Sequence, residues 1–303
     1  MEIKPILKWV GGKTQIIDKI LDNFPYEIEN YYEPFLGGGS VLLGLLNKIK
    51  ENKIKLKGNI YVYDINEPLI YMYKNIQNNY IEIYNILEIL IKDYNIDIKN
   101  NIINRNPNNI DEAKQSQENY YYWIRNKYNN LNTDDKKSPL GSAMFIFLNK
   151  TCFRGLFRMG PNGFNVPFGN YKNPEIINKI HLEKFNIMIK DVIFECSDFE
   201  IILTKLKEKD FVYLDPPYVP VNSKSFVSYT DKGFNNIKNM NLFKLCNDLT
   251  KMNINFMMSN SDVKLVRDNF NKKEYKIEDI ICKRKINSKN PDSKTKEIII
   301  RNY

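Results

Sequence analysis

Four consecutive residues, Asp215-Pro216-Pro217-Tyr218, place a carboxylate, two prolines and a phenol ring side by side. They end an apolar run, Phe211-Val212-Tyr213-Leu214, of the kind that fills a buried strand. Proline has no N–H for a sheet ladder, so the strand stops there and the tetrapeptide is a stiff element at the mouth of a sheet. A carboxylate and a main-chain carbonyl can accept the two N–H bonds of an exocyclic amino group on a nucleobase. Such a nitrogen is a poor nucleophile, because its lone pair is delocalised into the ring. Two acceptors draw it toward tetrahedral geometry while an aromatic face stacks on the base. The nitrogen can then attack an electrophilic methyl in line. Positioning carries most of the barrier reduction, with no metal and no covalent intermediate. The plainer alternative is a proline-terminated strand with a satisfied acid and a core tyrosine.

Such chemistry needs a fold that presents strand ends to a ligand. Tyr31-Tyr32-Glu33-Pro34-Phe35-Leu36-Gly37-Gly38-Gly39-Ser40 leads into apolar Val41 to Leu46, giving strand, glycine-rich turn and helix. Ile60-Tyr61-Val62-Tyr63-Asp64 is a second strand ending in an acid. This βαβ order, with an acid after the second strand, describes a Rossmann-like nucleotide site. The glycines let a backbone turn tightly under a nucleotide, and Asp64 suits ribose hydroxyls. Phosphate-loop chemistry is excluded, since Gly37-Gly38-Gly39-Ser40 lacks the lysine of that motif. A plain strand-turn-helix corner is the competing reading. Gly11-Gly12-Lys13 is a further place for close backbone approach beside a cation, or simply a loop with an exposed lysine.

The remaining elements follow from periodicity. Thr14 is expected to cap a helix carrying Ile16, Ile17, Ile20 and Leu21. From about Asn66 to Phe185 the chain is rich in Asn, Tyr, Ile and Lys. Ile81 to Ile91 and Tyr120 to Tyr128 are amphipathic helices, and Ala143 to Leu148 is apolar. Asn100 to Glu112 and Asn129 to Ser138 are polar loops, and Asn149 to Pro174 is a Gly/Pro/Phe/Arg-rich segment. Residues 67–189 are therefore expected to be a mainly helical insertion. The α/β pattern then resumes: strands at Asp191 to Cys196 and Asn255 to Met258, helices at Phe199 to Leu206, Met240 to Met252 and Asp262 to Phe270, and two strands within Tyr275 to Arg301.

Composition narrows the partners. The 303 residues carry 45 Lys and Arg against 36 Asp and Glu, a net charge of +9 that suits a polyanion. The N-terminus has no signal-peptide pattern and no apolar run is long enough to span a bilayer, which implies a cytoplasmic, non-secreted protein without a membrane partner. Cys152, Cys196, Cys246 and Cys282 form no CxxC pair, so reduced thiols and no metal are expected. The single histidine, His181, falls in a helix and is expected to be structural.

The motifs Lys8-Trp9-Val10-Gly11-Gly12-Lys13, Glu33-Pro34-Phe35-Leu36-Gly37-Gly38-Gly39, Tyr63-Asp64, Ser197-Asp198-Phe199 and Asp215-Pro216-Pro217-Tyr218 occur in one order. That order resembles the α-class of S-adenosylmethionine-dependent DNA adenine-N6 methyltransferases, the Dam family. The resemblance runs through essentially the whole chain. Segments 149–158 and 163–171 resemble the family's DNA-reading part. It implies a Rossmann-like class I methyltransferase sheet built from 1–66 and 190–303, with 67–189 as target-recognition insertion. Trp9, Lys13, Phe35, Gly37, Gly39, Asp64 and Asp215 match cofactor-contacting positions. Asp64 would take the ribose hydroxyls, and Asp198 with Phe199 the adenine moiety. Asp215, Pro216, Pro217 and Tyr218 match the target-adenine site.

On the DNA side, Lys8 matches a position that reads a guanine in GATC-specific members, and Phe153, Leu156, Arg158 and Pro167 match base-contacting or duplex-wedging positions. Relatives that methylate GATC commonly have Asn where this chain has Arg154; an arginine there could read another base or grip a phosphate. The target adenine must leave the duplex. Phe153 is the candidate wedge, and Ser223 to Lys232 and Lys283 to Lys296 are candidate phosphate clamps. The expected reaction turns S-adenosylmethionine into S-adenosylhomocysteine and methylates adenine in GATC, or in a related site such as CATG, in double-stranded DNA. A cognate restriction endonuclease is a possible companion, in a bacterial cytoplasm or that of a virus-infected host. Cytosine N4, adenine in RNA or single strands, and a non-catalytic DNA-binding protein that retains the fold are the alternatives.

Overall fold

A computed structural model describes residues 3–95, 103–220, 234–270, 273–283 and 294–303. Two compact units divide the chain. One comprises Met1–Gly12, Gly37–Leu43 and Asn66–Asp191, the other Lys13–Leu36, Gly44–Ile65 and Val192–Tyr303. The glycine-rich turn and the first residues thus group with the helical segment.

The unit beginning at Lys13 is built on a sheet. Among the described residues its strands are β1 (Tyr31–Glu33), β2 (Ile60–Asp64), β3 (Val192–Cys196), β4 (Phe211–Leu214), β5 (Asn255–Ser261), β6 (Lys276–Lys283) and β7 (Lys294–Arg301). They lie in the order β6-β7-β5-β4-β1-β2-β3. Neighbours from β3 to β5 are parallel, whereas β7 runs antiparallel to both β5 and β6. All four residues of β4 are buried, as a parallel strand covered on both faces requires. Leu242, Phe243, Cys246 and Leu249 of the helix Asn236–Lys251 pack into one apolar cluster with Val212, Leu214, Phe256 and Met258 of β4 and β5. Strand order reverses direction between β1 and β4. In open α/β sheets the crevice outside the carboxyl ends at such a point is where ligands bind. Glu33 ends β1 there, and Asp215 follows β4.

One local expectation fails in this unit. The helix Ile17–Leu21 starts later than Thr14 would set it, and its N-cap, Ile16, makes no side-chain cap bond. The chain instead turns through Ile16 N donating to the Lys13 carbonyl, 2.9 Å, so the turn follows the placing of Lys13.

The other unit is mainly helical. Glu67–Tyr94 is one helix, opened by Asn66 Oδ1 accepting Leu69 N–H and interrupted only at Asn79 (φ −140°, ψ 34°). The helix expected over 81–91 is its second half, burying Ile83, Leu87, Leu90 and Tyr94 along one stripe. Gln117–Asn130 is capped by Ser116, and Lys179–Met188 by Asn178. Pro139–Thr151 is buried at every position from Gly141 to Asn149, which makes it the axis of the unit. The stretch expected as a polar loop before it holds a short helix, Thr133–Lys137, because Asn132 and Ser138 cap successive helix starts. Tyr94 and Tyr120 meet the ring of Phe147 edge-on at 5.4 and 5.9 Å. A small hairpin, Met159–Gly160 with Gly163–Phe164, follows. His181 Nε2 lies 2.8 Å from the Lys4 carbonyl oxygen.

Candidate active site

Beyond β4 the two prolines free the chain from the sheet, and three attachments then hold the tetrapeptide. Lys13 is buried, and its ammonium lies 2.7 Å from Asp215 Oδ2 and 4.8 Å from the Tyr218 ring centroid. The exposed-lysine reading of the Gly-Gly-Lys turn is thereby ruled out. Tyr218 donates its hydroxyl to Glu297 Oε2 on β7, 3.0 Å. The residue after it, Val219, gives its N–H to Asn260 Oδ1 (3.2 Å), and its carbonyl accepts the Ser261 hydroxyl, both partners at the end of β5. Pro216 is buried and Pro217 exposed.

Asp215 Oδ1 is buried and has no hydrogen-bond partner among the described residues. An unmatched buried acceptor costs about 1–3 kcal/mol, so this atom favours a ligand that brings an N–H. Burial pushes the Asp215 carboxyl up from the ordinary carboxylate range, while the Lys13 ammonium opposes the shift. The phenol of Tyr218 is pushed well up by burial and then by the charges of Asp215 and Glu297, so it stays a donor.

At the other side of the switch point, Glu33 is 2 % exposed and accepts the Tyr31 hydroxyl at 2.8 Å. Burial raises its pKa to about 8; the charges of Asp215 and Asp64 add to the shift, and the Tyr31 bond opposes it. Asp64 ends β2, opposite Cys196 of β3. Phe35 stands 5.4 Å from the ring of Phe199 and 5.7 Å from that of Phe234, an aromatic wall beside the strand ends. Asp198 has both oxygens engaged: Oδ1 accepts Glu200 N–H to start the helix Phe199–Leu203, and Oδ2 meets Lys238 Nζ at 3.0 Å. Lys238 also lies over the Phe199 ring, 5.4 Å.

The helical unit holds the other site residues named from sequence. Trp9 stacks on Phe157, 6.0 Å, and meets Phe145 edge-on. Its indole also covers the backbone of the glycine turn. Gly37 (φ +49°) has no room for a side chain: an added Cβ would lie 2.9 Å from Trp9 Cδ1. Gly39 likewise has a positive φ, +71°. Lys8 is fastened by Asn149, which accepts Lys8 N–H and donates to the carbonyls of Lys8 and Gly155 at 2.9–3.0 Å. The Lys8 ammonium lies 4.0 Å from the Tyr171 ring centroid.

Phe153 is 43 % exposed, with its N–H on the Pro167 carbonyl. Arg154 takes a left-handed conformation (φ 58°); its N–H donates to the Tyr171 hydroxyl, and its guanidinium sits over the Phe153 ring. Leu156 is half-buried. Arg158 is exposed, but its guanidinium is bonded to the side chain and carbonyl of Asn165. Of the two segments expected to clamp phosphates, Ser223 to Lys232 lies wholly outside the described residues, and Lys283 to Lys296 lies outside them apart from its ends.

Sequence reasoning missed Glu297 and Lys238, which hold Tyr218 and Asp198, and Asn260 and Ser261, which hold Val219 just beyond the tetrapeptide. A lone acid before Ile298-Ile299-Ile300 or a lysine in a helix carries no local signature. Among the described residues no group of three or more His, Cys, Asp or Glu side chains could hold a metal, and no helix is long and apolar enough to cross a membrane.

A Rossmann-like sheet with a buried carboxylate at its switch point fits one class, a methyltransferase. The family model described as D12 class N6 adenine-specific DNA methyltransferase matches residues 9–286, and the chain belongs to that family. It is similar to the type II methyltransferase M.MjaIII of Methanocaldococcus jannaschii, 38 % identical over the whole of both chains. The DNA adenine methylase of Haemophilus influenzae is 30 % identical over 98 % of this chain and 92 % of its own. The type II methyltransferase M1.LlaDCHI of Lactococcus lactis is 27 % identical over 100 % and 96 %. The reaction is thus adenine-N6 methylation of DNA by an enzyme; the cytosine, RNA and non-catalytic alternatives are set aside.

Proposed function

We propose that this enzyme methylates N6 of an adenine flipped out of a short palindromic duplex site, GATC foremost and other AT-centred tetranucleotides such as CATG next, with S-adenosylmethionine as donor. The observation that carries the reading is the buried, unpartnered Asp215 Oδ1 at the end of β4. S-adenosylmethionine supplies an electrophilic methyl when bound. The chain's residues fit that group: Asp64 for ribose hydroxyls, Phe35 and Phe199 as apolar walls for its adenine, with Trp9, Lys13, Gly37 and Gly39 as further contacts. Asp198 would act through the Lys238 pair and the helix it caps, since both its oxygens are engaged. Asp215 Oδ1 and the Pro216 carbonyl accept the two N–H bonds of the target amine. Tyr218 stacks on the extruded base, and Pro217 keeps the turn rigid.

Lys8, Phe153, Arg154, Leu156, Arg158 and Pro167 form the DNA-reading set, within a target-recognition segment at 67–189. Phe153 is exposed enough to fill the space an extruded base leaves. Arg154 replaces the Asn of GATC-methylating relatives, which makes CATG or another related site a real contender. We further infer that the enzyme accompanies a cognate restriction endonuclease in a bacterial or infected-host cytoplasm, a reading supported by relatives named type II methyltransferases. Single-molecule sequencing of DNA from cells expressing the enzyme tests the function. N6-methyladenine at one short palindrome is the expected result; unmodified adenine throughout, from well-folded protein, sinks it.

A further inference from the structure

We propose that Glu297 is a positioning residue of the reaction: its carboxylate fixes the Tyr218 ring in the plane that stacks on the target adenine. The inference rests on the methyl-transfer reading above. Tyr218 follows two prolines beyond the carboxyl end of β4, where no backbone ladder orients its side chain. Its hydroxyl donates to Glu297 Oε2 at 3.0 Å. A charge-assisted bond of this kind is about twice as strong as a neutral one and directional, so it selects one ring orientation.

Glu297 is suited to the task by its place in the sheet. It pairs in register with Ser261 of β5 and with Ile280 of β6, so β7 is held on both sides at this position. Residues paired across antiparallel strands share a face. Ser261, on that face, binds the Val219 carbonyl with its hydroxyl, and Asn260 receives the Val219 N–H. The end of β5 and the middle of β7 therefore hold the chain at adjacent points, Val219 by its backbone and Tyr218 by its phenol. The Lys13 ammonium, 4.8 Å from the ring centroid, adds a contact to the ring itself. Stacking on a flipped base is productive only if the ring plane is set before the base arrives, since small misplacements at a reacting centre are costly.

The test compares methyl transfer to a duplex oligonucleotide carrying the modified site by wild type, E297A, E297Q, Y218F and the E297A/Y218F double variant. E297A is expected to lower kcat about tenfold or more while leaving the KM for S-adenosylmethionine unchanged. Y218F, which keeps the ring and loses the donor, should lose a similar factor without touching β7, so the test survives an E297A protein that does not fold. The double variant should be no worse than either single one. E297Q keeps an acceptor oxygen and should stay within about threefold of wild type. With 2-aminopurine at the target position, the E297A complex should fluoresce more brightly than wild type, because the extruded base is less well stacked. Full kcat in E297A or Y218F, additive losses in the double variant, or identical fluorescence would each overturn the assignment. A wild type that methylates no duplex adenine would overturn the methyl-transfer reading and this inference with it.

Discussion

The two oxygens of Asp215 differ. Oδ2 pairs with a buried lysine, and Oδ1 is buried with no hydrogen-bond partner among the described residues. Replacing the residue removes both. Asp215→Ala should abolish methylation and also destabilise the fold, by up to about 3–5 kcal/mol, because it takes the carboxylate away from the buried Lys13 ammonium. Chemical denaturation alongside methyl-transfer assays checks both parts; an inactive variant of unchanged stability would mean that the ion pair is idle. Glu33 offers a pH test. Its pKa is raised from 4.5 to about 8 by burial, so between those values the folded state holds a proton that the unfolded chain has released. Stability is therefore highest below pH 4.5 on this account and falls as pH rises toward 8, by about 1.4 kcal/mol for each unit over which the shift applies in full. Glu33→Gln should flatten that slope in denaturation curves measured from pH 5 to pH 8.

At the scale of elements, the glycine turn and the tryptophan beside it act as one piece. Gly37 combines a positive φ with a Cβ position only 2.9 Å from Trp9 Cδ1. Gly37→Ala should cost about 1–3 kcal/mol through strain and overpacking and push the indole aside. The chain has two tryptophans, so the variant made in a Trp123→Phe background should show an altered Trp9 emission and weaker S-adenosylmethionine binding. An unshifted spectrum would show that the turn can yield without the indole. Periodicity located most elements because each signal is local. It found only Ile81 to Ile91 of the helix Glu67–Tyr94, because polar Gln77, Asn78 and Asn79 interrupt the apolar stripe, whereas Ile76 and Ile83 are buried on either side of them. It misplaced the first helix start because Thr14 is a good cap in isolation, while the turn is set by burial of Lys13.

At the scale of the molecule, a net charge of +9 faces a polyanion. Binding to duplex DNA should weaken steeply with salt, by about 10³–10⁵ between 50 and 200 mM if six to ten phosphates are engaged. A filter-binding or anisotropy titration across that range checks it, and a flat profile would remove the charge from the account. Substituting Arg154 by Asn should leave the salt slope within about one unit and shift site preference, if that arginine reads a base edge and not a phosphate.

The sequence alone determined the reaction class. Asp215-Pro216-Pro217-Tyr218, the glycine turn and Asp64 are local motifs whose order along the chain resembles that of the family. It also supplied the α/β order and the helices Ile81 to Ile91 and Tyr120 to Tyr128, because periodicity is a property of single elements. Only the tertiary structure decided what braces those motifs. Lys13 turned from a loop cation into the partner of Asp215, Asp198 proved to be tied to Lys238, and Tyr218 found Glu297 79 residues away. The reason is physical. A motif records which groups do the chemistry, but the groups that hold them come from strand order and register, which bring distant residues to one end of the sheet and leave no pattern in the chain.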